Sequence, residues 1–222
     1  FDNENLRGYF LRIMRKIGVK KFKNFIIENY DHPLASIPSL DNKFFYGYWQ
    51  NFEFFFKHLN SIKNNLKFKN KNNLDNFFKD LKINYSHTVC LHFRLGDYKS
   101  TKNKRVYSDI SKNYYYNSIK KFEKKFKKPL FIIFSDQIES VDKTIINRDN
   151  IITASSLNLG QLNDFYLMSL CDAFIFSNST FSLWAAYLSD NNNLFVTKPP
   201  RWFKNDTIQK ANKYYPNSWT YL

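Results

Sequence analysis

An α/β fold, with a parallel sheet covered by helices on both faces, is what this amino-acid sequence predicts. Two observations carry the expectation. From about residue 85 onward, short apolar runs rich in β-branched and aromatic residues alternate with segments whose apolar positions recur at helical spacing. Most of the candidate strands also run into charged or small polar residues, which the parallel arrangement would collect on one edge of the sheet, where such folds bind ligands.

The first third reads as helical and basic. Leu6, Phe10, Ile13, Met14 and Ile17 fall on one helical face, with Arg7, Arg12, Arg15 and Lys16 elsewhere around the cylinder. Core packing explains that face, and an anionic membrane surface is the sharper alternative, giving a possible peripheral contact with anionic lipid. From Ser61 to Lys82 the chain is rich in Lys and Asn, with Leu66, Phe68, Leu74, Phe77, Phe78 and Leu81 interspersed, which predicts a connecting loop and a short helix. A domain boundary is placed near Tyr85, dividing the chain into 1–84 and 85–222. Beyond it the expected strands are Thr88–Phe93, Leu130–Ser135, Asn150–Thr153, Ala173–Ser177 and Leu194–Thr197, separated by helices at Tyr114–Phe126, Gln161–Cys171 and Thr180–Ser189.

Composition narrows the function classes. A chain of 222 residues with 43% apolar content fills one large domain or two small ones, and no run reaches the roughly 18 apolar residues of a membrane span. No signal peptide or anchor is visible in it. Cys90 and Cys171 sit inside apolar runs without metal-ligand spacing and read as reduced core residues; the histidines, His32, His58, His87 and His92, are scattered, so no metal site is expected. A net charge of +15 favours anionic partners, although a bias toward Lys, Asn, Ile, Phe and Tyr of the kind an AT-rich genome imposes accounts for part of it.

The chemistry concentrates at strand ends. His92 and Phe93 close the first strand and lead into Arg94-Leu95-Gly96-Asp97-Tyr98. A planar guanidinium suits bidentate contact with phosphate oxygens, Gly96 lets the backbone approach a ligand, and Asp97 is available as base, ribose acceptor or turn cap. The second strand ends in Ser135-Asp136-Gln137, where Asp136 either faces the ligand or caps a helix beginning near Ser140. The fourth ends in Ser177-Asn178-Ser179-Thr180 and feeds a helix whose free N–H groups attract phosphate, with Ser179 also an ordinary N-cap. Together these ends describe a nucleotide or nucleotide-sugar site. The chain has no GxGxxG or GxxxxGK[ST] segment, so neither a standard dinucleotide fold nor a P-loop is indicated.

At these residues the chain resembles the α-1,2-fucosyltransferases, glycosyltransferase family 11. An HxRxGDY motif is matched by His92 to Tyr98 and an FSD segment by Phe134-Ser135-Asp136. A long closing motif is matched by Asp164 to Cys171 followed by Ser177 to Ala186. Weaker echoes are Gly47-Tyr48-Trp49-Gln50, Pro200 to Phe203 and Tyr215 to Trp219. The resemblance implies a GT-B-like enzyme with a C-terminal Rossmann-type sheet holding GDP and a partial, mostly helical N-terminal lobe on the acceptor side. It implies inverting transfer from GDP-β-L-fucose to a galactoside-type hydroxyl, with no metal or other cofactor. Arg94, Ser135, Asp136, Asn178, Ser179, Thr180 and Phe181 would hold the sugar donor, Arg94 meeting the leaving diphosphate. Asp97 is the first candidate for base and His92 the second, with Asp97 equally able to orient Arg94 or bind sugar. Tyr48, Trp49 and Gln50 would face the acceptor.

Three departures accompany these matches. Leu95 stands where the family usually has a second Arg, Gln137 where many members have a second Asp, and a Gly-rich opening segment is absent, so the sequence is read as a partial chain. The expected acceptor is a glycan or lipid-linked oligosaccharide of a bacterial surface polysaccharide, and the expected location cytoplasmic or peripheral on the inner face of the membrane. Two alternatives remain: a GDP-sugar-binding relative without turnover, and a basic nucleic-acid-binding domain supported by the aromatics interleaved with Lys in residues 44–57 and 63–82. The second is disfavoured because the specific motifs lie on strand ends, so nucleic acid is not the expected partner.

Overall fold

The computed structural model describes residues 25–27, 43–46, 49–69, 71–96, 98, 100, 103–191, 193–205, 213–216 and 218–221. The chain divides into two compact units, residues 1–54 and 55–222. In the first, β1 (Phe25–Ile27) pairs in parallel with β2 (Phe44–Tyr46), and a 3-10 turn follows at Phe52–Phe54. The helix expected over residues 6–17 lies outside the described residues.

The second unit opens with α1 (Leu59–Asn65) and α2 (Lys71–Ile83), both ahead of the boundary read at Tyr85. Side chains bind them to the region beyond that boundary. Tyr166 donates to Asp75 at 2.6 Å, Lys82 pairs with Asp172 at 2.7 Å, and Phe68 lies 4.5 Å from the Tyr166 ring. Tyr85 therefore marks where the sheet begins, while the compact unit begins earlier.

A six-stranded sheet forms the centre: β3 (His87–Phe93), β4 (Pro129–Ser135), β5 (Ile151–Thr153), β6 (Ala173–Ile175), β7 (Phe195–Lys198) and β8 (Thr220–Tyr221). Every pairing is parallel, in the order β5-β4-β3-β6-β7-β8. β3 and β4 read as near-continuous apolar runs because both of their faces are covered.

On one face, Val89, Leu91 and Phe93 pack with Phe131, Ile133 and Ile175 against α3 (Lys112–Lys125). That helix starts where Ser111 accepts from the Tyr114 N–H at 3.2 Å, and it turns Tyr115, Ser118, Ile119 and Phe122 inward at helical spacing. Lys124 and Lys125 in its last turn oppose the negative end of its dipole. A short α4 (Lys143–Ile146) follows β4, capped by Asp142, which accepts from the Thr144 N–H at 3.0 Å. Successive side chains alternate across a strand, so Cys90 and His92 point to the other face, that of α5 (Gln161–Ser169) and α6 (Thr180–Tyr187). Cys90 and Cys171 are both buried free thiols whose pKa burial raises.

The order of the strands decides where a ligand can sit. Taking β3 as the first of six, the sheet reads 3-2-1-4-5-6, the doubly wound arrangement, and the order in which strands are added reverses between β3 and β6. At such a switch point the connections leaving the two strands run to opposite faces of the sheet, and the crevice between them is where these folds bind ligands. Arg94 follows one strand and Ser177 to Thr180 follow the other.

Candidate functional site

Beyond β3 the chain turns around a carboxylate. Arg94 Nη1 lies 3.0 Å from Asp136 Oδ2, the Leu95 N–H donates to Asp136 Oδ1 at 2.8 Å, and the Gly96 N–H donates to Oδ2 at 3.0 Å. A Cβ on Gly96 would stand 2.8 Å from Asp136 Oδ2, so glycine is what allows this approach. The close approach expected of Gly96 is thus made to a carboxylate of the protein itself. Asp136 is not the cap of the next helix, since Asp142 fills that place. It holds the strand-end donors together as a positioning residue, and the Arg94 side chain, 34% exposed, can be reached by an incoming anion. Ser135 next to it accepts from the Gln137 N–H at 3.1 Å, fixing the turn.

At the end of β6, Ser177 Oγ and His92 Nδ1 share a hydrogen bond of 2.8 Å. His92 is buried, and burial lowers its pKa to about 3, against a raising effect from Asp136 and with a further lowering from Arg94. The ring is therefore neutral, suited to hydrogen bonding and weak as a base. Asp97, the first candidate for that role, lies outside the described residues. Ser179 caps α6 by accepting from the Phe181 N–H at 3.4 Å, and Ser182 Oγ donates to the Ser179 carbonyl at 3.3 Å. Thr180 occupies the first helical position beside this cap. Phe181 keeps 36% of its surface exposed, with its ring 5.1 Å from Phe165 and 6.4 Å from His92. Asn178 is different in kind, because it is buried and its amide donates to the backbone carbonyls of Ser108 and Trp202, each at 2.9 Å.

Of the acceptor-side residues, Tyr48 lies outside the described residues. Trp49, in the first unit, has φ 50°, a left-handed backbone rare for a bulky side chain, and its ring lies 5.3 Å from Phe45 and 5.9 Å from Phe54. Gln50 follows it, partly buried.

Two features of this edge were not read from the sequence. Lys198 ends β7 and is 1% exposed, with its ammonium 5.0 Å from the Tyr215 ring centroid; burial lowers its pKa to about 8. His92, Phe176 and Lys198 stand one residue beyond the paired Leu91, Ile175 and Thr197, on the sheet face away from α3. Its signal, a charge closing an apolar strand, is the one that singled out Arg94. The other is an aromatic stack: Tyr98 lies 4.1 Å from Tyr107 at an interplanar angle of 11°, and Tyr107 lies 5.4 Å from Phe203. The Arg94 guanidinium carbon stands 5.8 Å from the Tyr98 ring centroid.

A cleft of about 580 Å³ opens at the opposite, amino edge of the sheet, lined by Lys63, Lys67, Lys82, Tyr166, Asp172 and Asp190 among others. It contains none of the strand-end residues, and its carboxylates already face lysines, Asp172 with Lys82 and Asp190 with Lys63. Convergent donors, rather than cavity size, locate the site. Among the described residues, no group of three His, Cys, Asp or Glu side chains is arranged to hold a metal ion, and no helix is long and apolar enough to cross a membrane.

Known proteins resemble this chain along most of its length. The sequence profile described as Glycosyl transferase family 11 matches residues 11–222. An alpha-1,2-colitosyltransferase of Escherichia coli is 28% identical over 179 residues, covering 79% of this chain and 61% of the relative. The O-antigen biosynthesis glycosyltransferase WbnK of Escherichia coli is 28% identical over 65% of this chain and 48% of its own length. Galactoside 2-alpha-L-fucosyltransferase SEC1 of Bos taurus is 30% identical over 54% of this chain and 34% of its own length. The chain thus spans between about a third and three fifths of these relatives.

Proposed function

We propose, for a chain that belongs to glycosyl transferase family 11, that the carboxyl edge of the sheet binds GDP-fucose and that the complete enzyme transfers L-fucose in α-1,2 linkage to a galactoside-type hydroxyl. One observation carries the reading: a guanidinium braced by a carboxylate on one strand end and a capped helix start on the other meet at the point where the strand order reverses. The relatives named for fucosyl and colitosyl transfer support the sugar class.

In the proposed reaction the acceptor oxygen attacks the anomeric carbon, the bond from that carbon to the β-phosphate oxygen breaks, and its electron pair leaves with GDP. Charge grows on the diphosphate as this happens. Arg94 and the N–H groups at the start of α6 are fixed donors that meet it without reorganising, which lowers the barrier rather than only tightening binding. The acceptor proton passes to a base, for which Asp97 is proposed. His92, held neutral, hydrogen-bonds within the site. Phe181 offers an exposed ring for the flat face of the base or sugar. Transfer is proposed to need no metal, the guanidinium supplying the cation. The acceptor is proposed to be a glycan or lipid-linked oligosaccharide of a surface polysaccharide, handled on the cytoplasmic side.

Thermal-shift titration tests the reading. GDP and GDP-fucose should raise the melting temperature, by an amount that grows with ligand concentration, while UDP and ADP do so much less. Equal shifts for all nucleotides would show that guanine is not read. A colitosyl donor in the same panel separates fucose from the sugar named in the first relative.

A further inference from the structure

We infer that Asn178 is a positioning residue that sets the geometry of Arg94 through a buried clamp, rather than a contact to the sugar donor; the inference rests on the donor-site reading above. Asn178 follows β6 at the crevice and is 1% exposed. Both faces of its amide nitrogen meet backbone carbonyls, Ser108 O and Trp202 O, each at 2.9 Å, so the nitrogen's orientation follows from its partners. Its own backbone carbonyl accepts from the Tyr98 hydroxyl at 2.7 Å. One residue thereby joins three connections: the one between β3 and α3, reached at Tyr98 and Ser108, the one between β6 and α6, and the one between β7 and β8, reached at Trp202.

The clamp bears on Arg94 through Tyr98. The Tyr98 ring is fixed from below by Tyr107 and at its hydroxyl by Asn178, and it presents itself to the guanidinium at 5.8 Å. The Ser108 N–H donates to Trp202 O at 3.1 Å and the Lys204 N–H to Val106 O at 2.9 Å, so the two outer connections are already paired, and Asn178 ties that pair to the crevice. Arg94 is thus braced by the Asp136 carboxylate and by the Tyr98 ring. Aspartate at position 178 would turn a carboxylate toward two carbonyl oxygens, so the clamp depends on an amide.

The test is calorimetric titration of the full chain with GDP well below the lowest melting temperature. Asn178→Ala should raise the Kd about tenfold, and Tyr98→Phe, which keeps the ring and loses the hydroxyl, about threefold. Tyr114→Phe is the control, because it removes a buried hydroxyl that donates to Thr197 O at 3.0 Å on the other sheet face; it should lower the melting temperature and leave the Kd unchanged. A role in stability alone would not couple Asn178 to Arg94. Arg94→Ala should therefore weaken GDP binding less in the Asn178→Ala background than in the wild type. A folded Asn178→Ala variant that binds GDP as the wild type does overturns the inference; if that variant does not fold, an unchanged Kd for Tyr98→Phe overturns it. A wild-type chain that fails to bind GDP overturns the donor-site reading instead.

Discussion

The two ends of β3 are closed by the same chemistry and serve different purposes. At the start, Asp172 accepts from the Thr88 N–H and hydroxyl, both at 2.8 Å, and pairs with Lys82. At the finish, Asp136 accepts from the Leu95 and Gly96 N–H groups and pairs with Arg94. What differs is the surroundings. Thr88 is fully buried, whereas Leu95 and Gly96 are partly exposed. The first carboxylate satisfies a strand-start N–H and hydroxyl that are themselves buried, and the second braces a guanidinium at a strand end that stays partly exposed. Burial would raise the Asp172 pKa, but the bonds from Lys82 and Thr88 outweigh it and hold the carboxyl below its usual range. A carboxylate bound to backbone N–H groups is thus no sign of a binding site in itself.

Substitutions at the two ends sharpen that contrast. The largest effect is expected from Arg94→Ala, a loss of about 10² to 10³ in the initial transfer rate of the complete enzyme at saturating GDP-fucose, with melting unchanged. Arg94→Lys should also be poor because it loses the fork, and Leu95→Ala should affect packing only. Retention of more than about a tenth of the rate by a normally melting Arg94→Ala variant would falsify the phosphate role. Next, Asp172→Ala should destabilise by about 1 to 3 kcal/mol, because the buried Thr88 N–H is left without its acceptor, while GDP affinity of the folded protein stays the same. Asp136→Ala should do the reverse, weakening GDP binding about tenfold, or ~1.4 kcal/mol, with little change in melting. If both variants act alike in both assays, the distinction between the ends fails.

Smaller effects concern pH and metal. His92 has a pKa near 3 when folded and about 6.5 when unfolded, so between these values the unfolded chain binds the extra proton. Its contribution to stability is complete above pH 6.5 and is lost as pH falls toward 3, at no more than ~1.4 kcal/mol per pH unit. Denaturant titrations across that range should show a shallower slope for His92→Gln than for the wild type. The smallest expected effect is none: EDTA should leave fucosyl transfer by the complete enzyme nearly unchanged. Loss of activity on chelation that Mg²⁺ or Mn²⁺ restores would overturn metal-independent transfer.

Local pattern made much of this legible. The strand runs at residues 88–93, 130–135, 150–153, 173–177 and 194–197 are visible as short apolar runs, continuous in β3 and β4 because both faces are buried, and α3 is visible because a one-sided stripe repeats every 3.6 residues. Arg94 was visible as a charge closing such a run. β8 was not, since the two residues Thr220–Tyr221 carry no period to detect. Asn178 reads in the sequence as a ligand contact because small polar residues before a helix commonly serve that way, and only the connections folding over it bury it.

What the sequence determined by itself is therefore the set of elements and the residue types at their ends, since these follow from interactions within a few residues of each other. The tertiary structure decided which ends become neighbours. An alternation of strands and helices is compatible with several strand orders, and only the observed one puts the ends of β3 and β6 on either side of a crevice. Asp136 reaches Leu95 across 41 residues of chain, and Asn178 reaches Ser108 across 70. Contacts at such separations leave no local periodicity to read, because they depend on how the sheet and its crossovers close in space and not on the residues next to them.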